Sequence, residues 1–273
     1  FKSHNEKKLR LTESHSHHGA GGVTNTIQLR GEYLFTTASE GGFRVYDVAN
    51  IANKGFSERI VTSPVSPLGQ DTHVSTKNAT SFALPTNMPI APFQKQLPEN
   101  LEQPLHEIYH YAAIVDSEEG LILVNVDTLA DAEPRNNFLR RALTWNKDEV
   151  LTGATHIHLA GTDAFITTTS GLVILDLDKP LQPKIRARVP FDHPKASAIQ
   201  FRYLFVLDVK GFHTVDLTNI DHPKKIESSF IPLKDARNLY LARTYAYVAG
   251  GKEGLVIVDI EKPEQPKGYM NYD

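Results

Sequence analysis

A six-residue unit recurs five times along this chain of 273 residues. Each copy begins with glycine, continues with mostly apolar residues and closes with Asp or Asn. The copies are GFRVYD at 42–47, GLILVN at 120–125, GLVILD at 171–176, GFHTVD at 211–216 and GLVIVD at 254–259. Successive glycines lie 78, 51, 40 and 43 residues apart. Three copies continue in related text, DLDKPLQPK, DLTNIDHPK and DIEKPEQPK. The chain is therefore an array of one structural unit.

Short alternating segments surround each later copy of the unit. Segments such as 154–159 and 164–169 precede the glycine, and a segment such as 184–189 follows the Pro-containing turn. Period-two alternation rich in β-branched and aromatic residues predicts strands. Four strands in roughly 40–50 residues is the period of a β-propeller blade. We therefore expect an all-β fold, a β-propeller of four-stranded blades with five repeat units visible.

The glycine and the acidic residue of the unit have predictable structural roles. Glycine adopts positive φ at little cost, so it suits the tight turn between the second and third strands. The closing Asp or Asn can accept hydrogen bonds from backbone amides of the next turn. We expect both residues to shape the blades rather than to bind a ligand.

Two copies with their downstream turns identify a family resemblance. GLVILDLDKPLQP at 171–183 and GLVIVDIEKPEQP at 254–266 resemble the LVIVD-repeat proteins, which are bacterial cell-surface or secreted β-propellers. The resemblance covers most of 23–63 and 105–273. It implies a propeller and an extracytoplasmic location, whether periplasmic, cell-surface or secreted. It brings no common reaction or ligand set, so no functional residue is assigned through it.

The spacing of the copies predicts one propeller domain over 1–273 with an insertion. The expected blades are about 13–63, about 105–150, about 151–195, about 196–235 and about 236–273, with the insertion at 64–104. Residues 1–12 contain a segment that reads as the outer strand of another blade. Two interpretations stay open: this segment completes the last blade and closes the ring, or the chain is part of a larger ring.

Composition excludes several classes of function. Apolar residues make up 40% and charged residues 22% of the chain, as in folded globular proteins. The net charge of −3 provides no basic field for nucleic acid. Cysteine is absent, which excludes thiolate metal sites and cysteine nucleophiles. No apolar run reaches the length of a transmembrane segment.

The expected insertion 64–104 is a candidate interaction segment. It holds seven of the 16 prolines, and its apolar residues include Phe82, Leu84 and Phe93. Long loops without regular structure are usually functional or disordered. We expect this one to pack on its own propeller or on a partner. The predicted function is an extracytoplasmic protein-interaction or scaffolding module, with the partner at the insertion or on a propeller face.

Histidines suggest an alternative function. Imidazoles that converge at a channel mouth can bind Zn, Cu, Ni or Fe. The candidate ligands are His15, His17, His18, His73, His106, His156 and His158, together with Asp71. Such a site would make the chain a metal-dependent enzyme or an electron-transfer component, and contact with the haem of a partner or flanking region is a further option. Structural or surface roles for these histidines are the opposing interpretation, and no catalytic residue is predicted.

Overall fold

The structure is a computed structural model that describes residues 22–48, 71–87, 89, 94–101, 105–131 and 136–272. Its 20 strands form five four-stranded antiparallel sheets, which confirms the predicted all-β propeller. The helical segments are short: an α-helix at Pro98–Leu101 and 3-10 helices at Gln94–Gln96, Glu107–His110, Asp127–Ala130, Lys147–Glu149 and Gly251–Glu253. No helix in the described part of the chain is long and apolar enough to cross a membrane.

Each blade is a meander of four consecutive strands. Blades 1 and 2 contain β1 (Thr26–Arg30), β2 (Tyr33–Thr37), β3 (Phe43–Asp47), β4 (His73–Val74), β5 (Ala79–Ala83), β6 (Tyr111–Asp116), β7 (Gly120–Asn125) and β8 (Arg140–Trp145). Blades 3 and 4 contain β9 (His156–Ala160), β10 (Asp163–Thr168), β11 (Gly171–Asp176), β12 (Lys184–Val189), β13 (Ala196–Gln200), β14 (Tyr203–Leu207), β15 (Gly211–Asp216) and β16 (Lys224–Pro232). Blade 5 contains β17 (Asn238–Ala242), β18 (Tyr245–Ala249), β19 (Leu255–Asp259) and β20 (Lys267–Tyr272).

The core lies between the blades. The first strands β1, β5, β9, β13 and β17 are innermost, and β5, β9, β13 and β17 each pack beside the first strand of the preceding blade. Four buried apolar clusters fill the spaces between blades 1 and 2, 2 and 3, 3 and 4, and 4 and 5. Among the described residues, no such cluster joins blade 5 to blade 1. In blades 2, 3 and 4 the third strand is buried on both faces because a neighbouring blade covers each side of it.

The repeat residues have the conformations expected from the sequence. The five glycines all have positive φ: 81° at Gly42, 83° at Gly120, 146° at Gly171, 152° at Gly211 and 69° at Gly254. In copies two to five the closing residue caps the turn. The amides that donate to it are Asp127 N to Asn125 Oδ1 at 3.0 Å, Asp178 N to Asp176 Oδ1 at 2.8 Å, Thr218 N to Asp216 Oδ1 at 2.8 Å and Glu261 N to Asp259 Oδ1 at 2.9 Å.

The first two blades are divided differently from the sequence expectation. Both β4, the outer strand of blade 1, and β5, the innermost strand of blade 2, lie within the expected insertion 64–104. The sequence of β5, ATSFA, is short and carries small polar residues near prolines, which obscures its alternation. Blade 2 therefore begins at Ala79 rather than at about 105. The long segment lies inside blade 2, between its first and second strands.

The last blade is complete without the N-terminal segment. Strand β20 pairs with β19 and supplies the fourth strand of blade 5 from the chain's own C-terminal residues. One of the two interpretations had residues 1–12 completing this blade, and β20 already holds the place of the fourth strand; both interpretations of residues 1–12 stay predictions. Residues 1–12 themselves lie outside the described residues, as does the start of the expected blade 1.

Candidate functional site

Antiparallel strands place the connections at two ends of the propeller. The first-to-second and third-to-fourth connections of every blade lie at one end, which we call the loop end. The second-to-third turns and the connections between blades lie at the opposite end. In four blades the first-to-second connection is a two-residue turn. In blade 2 it is the segment 84–110, which we call the long loop.

Two histidines fix the C-terminal part of the long loop. His106 Nδ1 accepts a hydrogen bond from the Ile108 amide at 3.1 Å, and His106 Nε2 lies 3.4 Å from Asp178 Oδ1 in the next blade. His110 Nδ1 lies 2.5 Å from Asp127 Oδ1. Because Ile108 is buried in the core between blades 2 and 3, this part of the loop is tied to both blades. His106, a predicted metal ligand, thus caps the 3-10 helix Glu107–His110 with one ring nitrogen and contacts a carboxylate with the other.

The start of the long loop is also held, whereas its middle is exposed. The Arg30 guanidinium donates to the carbonyl oxygen of Pro85. Phe82 is buried in the core between blades 1 and 2, and Leu84 packs against the same core. Leu97, by contrast, is exposed to solvent. Other apolar residues predicted for this segment, among them Phe93, lie outside the described residues.

Exposed apolar side chains occur at the loop end on three consecutive blades. They are Leu97 and Phe138 in blade 2, Leu181 in blade 3 and Phe201 in blade 4. Phe201 is 92% exposed and has a φ of 55°. The first residue of this two-residue turn favours glycine or asparagine, and a bulky residue there is strained. The fold therefore gives no reason for this aromatic side chain, because it neither packs nor suits its backbone.

Polar groups surround Phe201. Arg202 Nη2 lies 2.6 Å from the Tyr203 hydroxyl, which in turn donates to Glu264 Oε1 at 2.7 Å. The hydrogen bond with Glu264 raises the pKa of Tyr203 and keeps its hydroxyl a donor. A surface cavity of about 440 Å³ lies between Tyr203 and the turn 261–265 of blade 5. Charged groups and a concave surface therefore lie next to the turn that carries Phe201, as at the rim of a protein interface.

His73 and Asp71 lie together at the outer edge of blade 1. The His73 amide donates to Asp71 Oδ1 at 3.2 Å, and the His73 ring Nε2 lies 3.1 Å from the Gly41 carbonyl oxygen. Strand β4 is the fourth strand of its sheet, far from the innermost strands. His73 thus occupies an outer position near the turn 38–42, at the end opposite the loop end.

His156 and His158 lie on β9, the innermost strand of blade 3. As the alternation predicts, both face one side, towards blade 4, while Ile157 packs towards blade 2. His156 Nδ1 accepts a hydrogen bond from the Ser197 amide at 3.4 Å. Burial, and secondarily the neighbouring His158, lowers the pKa of His156 to about 4. Burial also lowers the pKa of His158. Both rings are neutral at pH 7.

The described candidate ligands do not converge. His106 lies at the loop end, His73 at the outer edge of blade 1, and His156 at the opposite end of blade 3. Within the described ranges, no group of three or more His, Cys, Asp or Glu side chains is placed to hold a metal ion. The remaining candidates His15, His17 and His18 lie outside the described residues. The metal site therefore stays a prediction.

Sequence reasoning did not single out Phe201 or the contacts of the long loop. Alignment of the copies could have found Phe201, because the equivalent turns begin with Gly31, Gly161 and Arg243, and Phe201 alone puts an apolar side chain there. The contact of His106 with Asp178 had no such signal. Those two residues belong to different blades, and only the folded ring brings them together.

Comparison with known proteins supports the repeat and the fold. Residues 234–273 match the family model of the LVIVD repeat. No curated protein sequence matches the chain. Among solved structures, the chain resembles PorZ, an essential bacterial surface component of the type-IX secretion system of Porphyromonas gingivalis, with 14% identity and a TM-score of 0.50. This likeness covers 91% of the chain but only 26% of PorZ.

Two further structures are similar in fold. The designed protein Ika8 matches with 9% identity and a TM-score of 0.52, over 88% of this chain and 59% of that one. A chain of the nidogen/laminin complex matches with 9% identity and a TM-score of 0.53, over 92% of this chain and 80% of that one. At such identities the likeness concerns the fold alone. The five sheets make the chain a five-bladed β-propeller, and its last blade matches the LVIVD repeat over residues 234–273.

Proposed function

We propose that this chain is an extracytoplasmic protein-interaction module that binds a protein partner through its loop end. The observation that carries the proposal is Phe201, a 92% exposed aromatic residue at a φ of 55°. An aromatic side chain in water gains nothing for folding, and its backbone is strained. Exposed aromatic residues bordered by polar groups are typical anchors of protein interfaces.

The surroundings of Phe201 favour a protein rather than a small ligand. Leu97, Phe138 and Leu181 add exposed apolar positions on the neighbouring blades. Arg202 and Glu264 provide charged groups beside Phe201 itself. A protein-sized surface explains apolar positions spread over three blades, whereas a small ligand would need them in one pocket. The anchored ends of the long loop hold its exposed middle on a rigid scaffold.

The extracytoplasmic location rests on likeness. The LVIVD repeat resembles that of bacterial surface and secreted proteins, and PorZ is described as a bacterial surface component. The absence of cysteine requires no particular redox compartment. Cell fractionation followed by immunodetection tests this part of the proposal, and recovery of the protein in the cytoplasm alone would contradict it.

Phe201→Asn provides the test of the binding surface. Asparagine tolerates positive φ, so this variant removes the ring while preserving or raising stability. The wild-type chain and the variant are immobilised, exposed to an extract of the source organism, and compared by quantitative mass spectrometry. We expect at least one protein to be depleted about tenfold on the variant, and its purified form to bind the variant about tenfold more weakly.

The matched control is Val209→Asn, an exposed apolar residue in a second-to-third turn at the opposite end. Binding to this variant should equal that of the wild type. If no protein is depleted on Phe201→Asn, the proposed surface is refuted. Equal depletion on both variants would show a general effect of exposed apolar residues instead.

A metal-dependent or electron-transfer role is the second candidate. Its support is the state of His156 and His158, which are neutral and lie on one face of an inner strand. Neutral imidazole is the form that ligates Zn, Cu, Ni or Fe. Metal analysis of the purified protein tests this role. The site is supported if the wild type binds a stoichiometric metal that is lost in His156→Ala or in a variant with His15, His17 and His18 all changed to Ala. Absence of bound metal after incubation with each ion refutes it.

A further inference from the structure

The exposure of the second residue of each repeat differs between the last blade and the other four. In the first four blades this position faces the following blade and is buried: Phe43, Leu121 and Phe212 are 0% exposed and Leu172 is 1% exposed. In blade 5 the same position is Leu255, which is 40% exposed. The sequence thus builds a blade-to-blade face on blade 5, and no described blade covers it.

The rest of this face is also apolar. One row of cross-strand neighbours runs over all four strands: Tyr240 pairs with Tyr247, Tyr247 with Ile257, and Ile257 with Met270. Tyr240 is 71% exposed and Tyr247 is half-buried. By contrast, Phe35, Phe165 and Phe205, which hold the place of Tyr247 in blades 1, 3 and 4, are buried in the interblade cores. We call the face formed by Leu255 and this row the blade 5 face.

Blade 1 has the complementary open face. Ile27 and Leu29 stand four and two residues before the first two-residue turn, and they are 64% and 63% exposed. Ile157 and Leu159 hold the same places in blade 3, where they pack against blade 2. The equivalent pair on β17 packs against blade 4 in the same way. We call the side of β1 that carries Ile27 and Leu29 the blade 1 face.

Each open face carries residues that the equivalent faces of the other blades lack, and the two sets suit contact with each other. On the blade 1 face, the third repeat position is Arg44, whose Nε donates to the Gly41 carbonyl oxygen at 2.8 Å. The other copies have Ile, Val or His there. On the blade 5 face, Tyr240 and Tyr247 add phenol rings. An arginine opposite tyrosine rings is a favourable pairing, because the guanidinium stacks on aromatic faces.

We propose that two copies of this chain associate head to tail, with the blade 5 face of each copy packed on the blade 1 face of the other. The blade 5 face has the residues of a surface that packs against a following blade. The blade 1 face has the residues of a surface that packs against a preceding blade. One copy therefore carries both halves of a blade-to-blade interface. Two copies satisfy all four open faces in a closed, symmetric pair.

The proposal is independent of partner binding at the loop end, because the two surfaces share no residue. The test is the molar mass of the full chain by light scattering and sedimentation, from about 1 μM to about 100 μM, where modest homodimers dissociate and form. We expect a concentration-dependent mass that approaches twice 30.4 kDa.

Three variants make the test specific. Tyr240→Lys alters the blade 5 face, Leu29→Lys alters the blade 1 face, and Phe201→Asn is the control at the loop end. Since all three positions are exposed, the variants should fold, as circular dichroism will verify. Each lysine variant should dimerise at least about tenfold more weakly. An equimolar mixture of the two lysine variants should dimerise again, because one of its two junctions keeps both native faces.

Four results would overturn the proposal. The first is a wild-type monomer at the highest concentration, whether its ring closes on itself or stays open. The second is a dimer that Tyr240→Lys abolishes but Leu29→Lys leaves intact, which would mean contact between like faces. The third is a mixture of the two lysine variants that stays monomeric. Loss of dimerisation in Phe201→Asn would instead place the interface at the loop end and would also refute the head-to-tail arrangement.

Discussion

Gly211→Ala tests the structural role of the repeat glycine. Gly211 has a φ of 152°, and a Cβ built on it would lie 2.1 Å from the Ile231 carbonyl oxygen and 2.8 Å from the Leu233 amide nitrogen. Ordinary contact begins near 3.4 Å, so backbone must move by more than 1 Å. Backbone strain of about 1–3 kcal/mol and overpacking of about 1–3 kcal/mol together predict a loss of about 2–6 kcal/mol.

The control for this substitution is Gly161→Ala. Gly161 has a φ of 60°, and a Cβ there would meet nothing within 4 Å. Its cost is the left-handed backbone alone, about 1–2 kcal/mol. Urea unfolding, followed by circular dichroism and by the fluorescence of Trp145, measures both variants. Equal destabilisation by the two alanines would refute the close approach of β15 and β16 as the reason for the repeat glycine.

Three further variants test individual contacts. The low pKa of His156 means that the unfolded chain binds a proton that the folded chain does not. The free energy of unfolding therefore falls by up to about 3 kcal/mol as the pH is lowered from 6.5 to about 4. In His156→Asn the urea midpoint should depend less on pH over this range. Arg141 Nη1 lies 2.6 Å from Glu119 Oε1, and Arg141→Met should cost about 1–2 kcal/mol in urea unfolding at pH 7; an unchanged midpoint would count against this ion pair. His110→Ala removes the contact with Asp127, and tryptic cleavage in the long loop should accelerate by about tenfold; cleavage at the wild-type rate would mean that the loop is held elsewhere.

The sequence was sufficient for the architecture because one unit is repeated. The glycine of each copy and the capping Asp or Asn act within a few residues of chain, so their roles could be predicted from local chemistry. The same holds for His156 and His158, whose spacing on a strand dictates a shared face. Repetition also allowed the weaker copies to be interpreted through the clearer ones.

Features that depend on one copy or on the packing of one blade against another were not predictable. Strand β5 has no apolar alternation that distinguishes it from a loop, so the long segment was placed before blade 2 rather than inside it. The histidines were expected at one channel mouth, but antiparallel connections place His106 at the loop end and His156 at the other. The exposure of Leu255 depends on which blades are present, since its own sequence is that of a buried position.

Five equivalent units share four interblade cores and leave the last face open. The absence of cysteine allows a direct test with single-cysteine variants at equivalent repeat positions. Leu255→Cys and Leu172→Cys are compared for their rate of reaction with a thiol reagent, at about 1 μM to keep the chain monomeric. We predict that the thiol at position 255 reacts at least about 100-fold faster, because position 172 is accessible only through unfolding. Equal protection at both positions would contradict the claim, since it would show blade 5 covered like the others.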